Sequence, residues 1–142
     1  YGAQDEDDEF SGNLITPAER SKLCSERIKK LEGTEEYEEM IKALVEYGAC
    51  LRIQGDDKHP GLVRTHFNLA TTYLRQKLVP QALSHFKQAE DVNEQNASET
   101  DADNFRCRIL EGMGICETRM GHYGAAKTLL EKARKECTKR GG

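Results

Sequence analysis

Residues 62–92, LVRTHFNLATTYLRQKLVPQALSHFKQAEDV, decide the fold. They read as a helix, a tight turn and a second helix. Leu69, Ala70 and Tyr73 fall on one face of the first helix at helical spacing, and Ala82, Phe86 and Ala89 do the same in the second. Ala70 and Ala82 are small enough to let two helices approach closely, while Leu69, Tyr73 and Phe86 fill the space around that contact. The turn lies near Gln76 to Pro80, and Pro80 suits the first turn of the second helix because its missing N–H has no partner there.

The same markers recur on both sides. Moving Val79, Ala82, Phe86 and Ala89 back by 42 residues gives Tyr37, Met40, Leu44 and Tyr47; moving them forward by 44 gives Tyr123, Ala126, Leu130 and Ala133. The first-helix markers His66, Leu69, Ala70 and Tyr73 correspond to Leu110, Met113, Gly114 and Glu117 downstream. Upstream they meet Cys24, Arg27, Ile28 and Leu31, a divergent match of the kind expected of a terminal unit.

This pattern resembles the tetratricopeptide repeat, in which a helical hairpin carries a large residue, Leu, a small residue and Tyr, followed by Ala, an aromatic and Ala. His66 takes the first large position here, and the usual closing Pro is absent. The resemblance implies an all-α fold of three helical hairpins stacked as a right-handed α-α superhelix. The units span about residues 16–55, 60–95 and 101–139 of a domain at 16–140, behind an acidic arm at 1–15. The period is longer than the usual repeat of about 34 residues. With Gly55-Asp56-Asp57-Lys58-His59-Pro60 and Asn68-Leu69-Ala70, it is similar to the long repeat of kinesin light chains. Lys58 interrupts the loop motif, Phe67 replaces a second Asn and the third unit lacks the loop, so a repeat of that type is implied and not a kinesin light chain itself.

Local signals divide the chain further. Thr16-Pro17-Ala18-Glu19 starts a helix that Gly33 stops after Leu31. Thr34 is expected to cap the next helix, which ends near Gly55. Residues 94–103 form a polar connection, a helix runs from about Asp103 to Met120, and the last covers about Tyr123 to Lys139. Leu129 and Cys137 on that last helix look exposed and nominate it for self-association.

Composition narrows the function classes. The chain has 142 residues, 32% of them charged, and a formal net charge of -4, an acidic balance that argues against nucleic acid as the main partner. No apolar run is long enough to span a bilayer, and no signal peptide opens the sequence. The absence of an initiator Met suggests a fragment or a processed chain. Cys24, Cys50, Cys107, Cys116 and Cys137 form no CxxC pair and are expected as reduced thiols of a cytoplasmic protein. Asn96-Ala97-Ser98 is read as a chance match to the glycosylation sequon.

The sequence offers no recognisable catalytic set. His59, His66, His85 and His122 do not pair with a Cys at metal-ligand spacing. Gly112-Met113-Gly114 lies inside a helical pattern and fails the context test for a phosphate loop. No metal, cofactor or enzymatic activity is expected.

A repeat stack works through its surface, with successive first helices lining a concave groove. The outward positions are Lys22, Ser25, Glu26 and Lys29 in the first unit, Arg64, Phe67, Asn68, Thr71 and Arg75 in the second, and Arg108, Glu111, Gly112, Ile115 and Arg119 in the third. Cations exceed carboxylates there, and Phe67 and Ile115 add apolar contact points. The expected ligand is an acidic peptide with an aromatic or apolar anchor, bound by an adaptor or scaffold. Kinesin light chains bind such peptides, and the resemblance extends the expectation to a motor or ciliary setting. The tetratricopeptide clamp for chaperone C-termini is disfavoured, because Ser25, Lys29, Asn68, Arg108 and Gly112 stand in its places and only Asn68 matches outright. Glu6-Asp7-Asp8-Glu9-Phe10 of the arm fits the ligand description itself, so the arm is a candidate occupant. The competing reading is a structural segment of a larger assembly, held by its convex face and ends.

Overall fold

The computed structural model describes residues 15–96 and 100–141, with the side chains of 100–104 and 139–141 left undescribed. Residues 1–14 of the acidic arm therefore lie outside the described residues. Six helices follow in order: α1 Pro17–Leu31, α2 Tyr37–Gly55, α3 Gly61–Arg75, α4 Val79–Gln95, α5 Thr100–Arg119 and α6 Tyr123–Gly141, with a 3-10 turn Asp56–Lys58 between α2 and α3. No strand occurs among the described residues. Each helix packs on the next, giving the three stacked hairpins α1/α2, α3/α4 and α5/α6 read from the sequence.

The internal repeat is visible in the backbone. Gly33, Lys77 and Gly121, spaced by 44 residues, hold the left-handed conformation (φ of 80°, 65° and 82°) that turns the chain between the two helices of each hairpin. Only Lys77 carries a Cβ there, at a cost of about 1–2 kcal/mol. The first turn runs from 32 to 36, whereas the others occupy 76–78 and 120–122. That explains the divergent first unit: Cys24, Ile28 and Leu31 keep the packing register, while α1 stops two residues early and the turn takes them up.

Caps set the helix ends. The Thr16 hydroxyl accepts from the Glu19 N–H at 3.1 Å. Thr34 does not cap α2 as expected, since that helix starts after Glu36. The Thr34 hydroxyl instead donates to the Leu31 carbonyl at 2.6 Å and accepts from the Glu36 N–H at 3.3 Å, closing α1 and bracing the turn. In the Gly-Asp-Asp-Lys-His-Pro loop, Asp56 accepts from the Lys58 N–H at 2.7 Å and His59 Nδ1 accepts from the Gly61 N–H at 3.0 Å, satisfying a donor at the head of α3. The Asn96 amide donates to the Lys58 carbonyl at 3.0 Å, tying the end of α4 to that loop.

The core is apolar and continuous. Ala70, Ala82, Phe86 and Ala89 are all at 0–1% exposure in the larger cluster, and Tyr47 and Tyr73 join it to a second cluster of Ile28, Ala43, Leu44 and Leu69. Ala126 and Ala133 are buried at the matching small positions of α6. The expectation that Leu129 and Cys137 are exposed is corrected: Leu129 packs on the core and Cys137 is half-buried against Cys107, while Tyr123 and Leu130 are the exposed apolar residues of α6.

His66 fills its packing position through a partner. Its Nδ1 lies 3.1 Å from Nδ1 of His85 on α4, and the His85 ring stacks on Tyr73 at 5.4 Å. One imidazole donates and the other accepts, an arrangement that two neutral rings satisfy. Burial, His85 and Arg52 lower the His66 pKa to about 4, and burial and Arg52 also lower that of His85.

Two glycines of α5 differ in what they permit. A Cβ on Gly112 would meet the Phe86 ring at 2.4 Å, and that ring is 1% exposed. A Cβ on Gly114 would meet Leu130 at 2.6 Å, but Leu130 is 39% exposed and can turn away. Gly112→Ala is therefore expected to destabilise by about 1–3 kcal/mol. Gly114→Ala should be near neutral, because the helix preference for Ala offsets the displacement by about 1 kcal/mol. Urea melts of both variants check this. The histidines add a pH dependence. The unfolded chain takes up protons below about pH 6.5, and folded His66 does so only near 4, so the His66 contribution should be fully present above pH 7 and be lost between 6.5 and 4. Urea midpoints across that range, flattened in His66→Leu, test the assignment.

Candidate functional site

One groove crosses all three hairpins. It is lined by α1 (Ser25, Ile28, Lys29, Glu32), α2 (Leu44, Tyr47), the head of α3 (Val63, Arg64, Asn68), the tail of α4 (Asn93, Asn96) and α5 (Phe105, Arg108), and it encloses ≈ 630 Å³. Ile28, Leu44 and Val63 are buried and form its floor. Lys29, Arg64 and Arg108 are exposed around it.

An aromatic ladder fixes the α5 side. Phe86 meets Phe67 edge-on at 5.7 Å, and Phe67 meets Phe105 edge-on at 5.8 Å. The Arg108 guanidinium lies 5.1 Å from the Phe67 ring centre and 5.9 Å from that of Phe105, and Arg64 lies 5.5 Å from Phe105. Stacking on ring faces holds both guanidiniums by attraction to the π cloud without using a carboxylate. Among the described residues, none of Lys29, Arg64 and Arg108 forms a salt bridge. Glu32 beside Lys29 is the one carboxylate among the described residues of the lining, so the groove carries an excess of positive charge concentrated at Arg64 and Arg108.

The structure gathers only part of the expected site. Lys29, Arg64, Asn68 and Arg108 line the groove. Lys22, Arg75, Glu111, Ile115 and Arg119 are exposed on the same helices but outside it, and the Thr71 hydroxyl donates to the Asn68 carbonyl at 3.0 Å. Two expected surface positions are corrected. Gly112 is buried beneath Phe86, and Phe67 is half-buried, boxed in by two rings and a guanidinium. Phe105, Tyr47, Glu32 and Asn93 belong to the groove and were missed. Phe105 stands one helical turn before Arg108 and was detectable by that spacing; Tyr47 and Asn93 had no local signal, because each reaches the groove from a second helix of a hairpin.

The remaining chemistry is structural. Cys24 donates to Glu46 at 3.2 Å, and burial and that carboxylate push its pKa up to about 12. Burial pushes Cys116 up to about 11. Neither is a ready thiolate nucleophile. Cys107 and Cys137 form a disulfide across α5 and α6 with a Cα–Cα distance of 5.5 Å, so the expectation of five reduced thiols gives way to three. Among the described residues, the grouping of potential metal ligands is Cys107, Glu111 and Cys137, whose two sulfurs are bonded to each other. The disulfide clips α6 to the helix that carries Phe105 and Arg108.

No family model matches the chain. Curated relatives do. The chain is 30% identical over 123 residues to the human protein named tetratricopeptide repeat protein 23, an alignment covering 82% of this chain and 28% of that protein. It is 33% identical over 97 residues to the mouse protein of the same name, covering 66% of this chain and 20% of that protein. The chain thus spans less than a third of the length of these relatives. With denaturation but no reductant, alkylation followed by mass spectrometry should modify Cys24, Cys50 and Cys116 alone, and all five cysteines after reduction.

Proposed function

Because the chain is a tetratricopeptide-repeat domain, a fold that serves protein–protein interaction, we propose that it works as an adaptor or scaffold whose groove takes an acidic peptide. The observation that carries this reading is the pair Arg64 and Arg108, held over aromatic rings beside an apolar floor and, among the described residues, in no salt bridge, with Lys29 opposite and Glu32 as the one carboxylate in the lining. Charge speeds encounter and selects the sign of the ligand, while the apolar floor supplies affinity. The Asn68 and Asn93 amides in the lining suit the main chain of an extended peptide. The acidic arm has the right chemistry to compete for the same place. The long-repeat loop Gly55-Asp56-Asp57-Lys58-His59-Pro60 supports a setting near motors or cilia.

A structural-segment reading draws on Val45 and Ile53, which are 53% and 71% exposed on α2 and form with Ala49 an apolar stripe at helical spacing. It predicts self-association and an indifferent groove. The discriminating measurement is fluorescence anisotropy with a dye-labelled acidic heptapeptide. Under the groove reading, affinity falls steeply between low and moderate salt and is lost in the double variant Arg64→Glu, Arg108→Glu, with helical content checked by circular dichroism. Unchanged binding in that variant would move the interface elsewhere.

A further inference from the structure

The third hairpin carries side chains that the repeat does not require. Moving Cys107, Glu111 and Cys137 back by 44 residues gives Val63, Phe67 and Asn93, so the second hairpin has neither a thiol nor a carboxylate at those places. In the third, Cys107 and Glu111 lie one turn apart on a single face of α5, and Cys137 meets them from α6. The two sulfurs and a Glu111 carboxylate oxygen all fall within 4.8 Å of one another. Cys107 is buried, Cys137 half-buried and Glu111 exposed, so the group runs from the interior of the hairpin to solvent.

The two helices hold this geometry without the sulfur–sulfur bond. Arg106 and Glu136, the residues just before the two cysteines, are paired at 3.2 Å. Leu110 and Ala133, one turn from the cysteines along their own helices, are both 2% exposed and keep α5 packed on α6. Opening the disulfide therefore leaves the two Cα atoms near their 5.5 Å separation.

We propose that Cys107, Glu111 and Cys137 form, when the disulfide is reduced, a binding site for a thiophilic divalent cation, Zn²⁺. A dithiol opens the S–S bond by giving two electrons and two protons, becomes a disulfide itself and leaves two thiols; Zn²⁺ then displaces both thiol protons to the solvent. Thiolates arranged tetrahedrally on zinc lie about 3.8 Å apart, given Zn–S bonds of about 2.3 Å, against about 2.0 Å in a disulfide. Rotation of the two side chains covers that difference. Two sulfurs and one oxygen select a borderline-soft ion and disfavour Mg²⁺ and Ca²⁺, which take oxygen ligands. Three protein ligands leave a fourth position to water on the exposed side, where Glu111 stands. Disulfide and metal are alternatives that use the same two sulfurs, and each clips α6 to α5.

Co²⁺ is the probe, because its thiolate complexes absorb where the free ion does not. The full chain is reduced with dithiothreitol, freed of it under argon and titrated with Co²⁺. A thiolate-to-cobalt charge-transfer band that saturates at a single equivalent and is bleached by Zn²⁺ is expected. The chain with its disulfide intact should give no band, and Cys137→Ser should abolish it. Glu111→Gln should weaken cobalt binding by at least about tenfold, the loss that follows even when an outer partner of a metal ligand is removed. A reduced chain without a band, a band equally strong in the oxidised chain, or one unchanged in Cys137→Ser overturns the site. Unchanged affinity in Glu111→Gln overturns the three-ligand set. Cys24, Cys50 and Cys116 are free thiols in both forms, so a band confined to the reduced chain belongs to Cys107 and Cys137 even if Cys137→Ser fails to fold.

Discussion

Phe86 meets the backbone of α5 at the one place where Gly112 leaves room for a ring, and the geometry of the groove follows from that contact. The ring is 1% exposed and touches Phe67 edge-on; Phe67 in turn touches Phe105, and the two guanidiniums lie over these rings. A packing contact deep between the second and third hairpins is thereby passed outward, ring by ring, until it sets the place of Arg64 and Arg108. Close-packed interiors transmit displacement in this way because there is no free volume to absorb it. The positive face of the groove is a consequence of core packing as much as of surface composition.

The polar part of the interior obeys the same economy of space. His66 occupies a position that the repeat gives to a large apolar side chain, and it is tolerated because His85 supplies the one hydrogen bond that a neutral imidazole there requires. Arg52 of the preceding hairpin adds a positive charge nearby that discourages protonation of either ring. Lys58 and Asn96 make a comparable arrangement at the other end of the hairpin, where a side-chain amide satisfies a loop carbonyl. The departure at His66 is thus matched by a partner that restores the balance of donors and acceptors.

Much of this was legible in the sequence, and the reason is periodicity. Ala70, Ala82, Phe86 and Ala89 recur at fixed spacing, so the helices, their order and the core face could be read directly, and the hairpin turns keep their 44-residue spacing in the backbone. Phase along a helix tells which way a side chain points but not what stands opposite it. Gly112 has the phase of a groove residue and is covered because Phe86 arrives from the neighbouring hairpin. Tyr47 and Asn93 enter the groove from second helices, which no first-helix pattern includes. Cys107 and Cys137 meet across 30 residues for the same reason: the pairing is a property of α5 against α6 and not of either helix. Thr34 illustrates a local failure, where a hydroxyl able to cap the following helix closes the preceding one instead.

Stacked hairpins form a nearly one-dimensional array in which each unit is held by its neighbours and the ends fray first. The groove does not follow that nearest-neighbour rule, since its lining runs from Ser25 on α1 to Arg108 on α5. An occupant would touch the first and third hairpins at once and act as a cross-brace spanning the array. Its binding energy would then be felt by the whole stack, raising the cost of opening at either end and making the three units unfold more nearly as one.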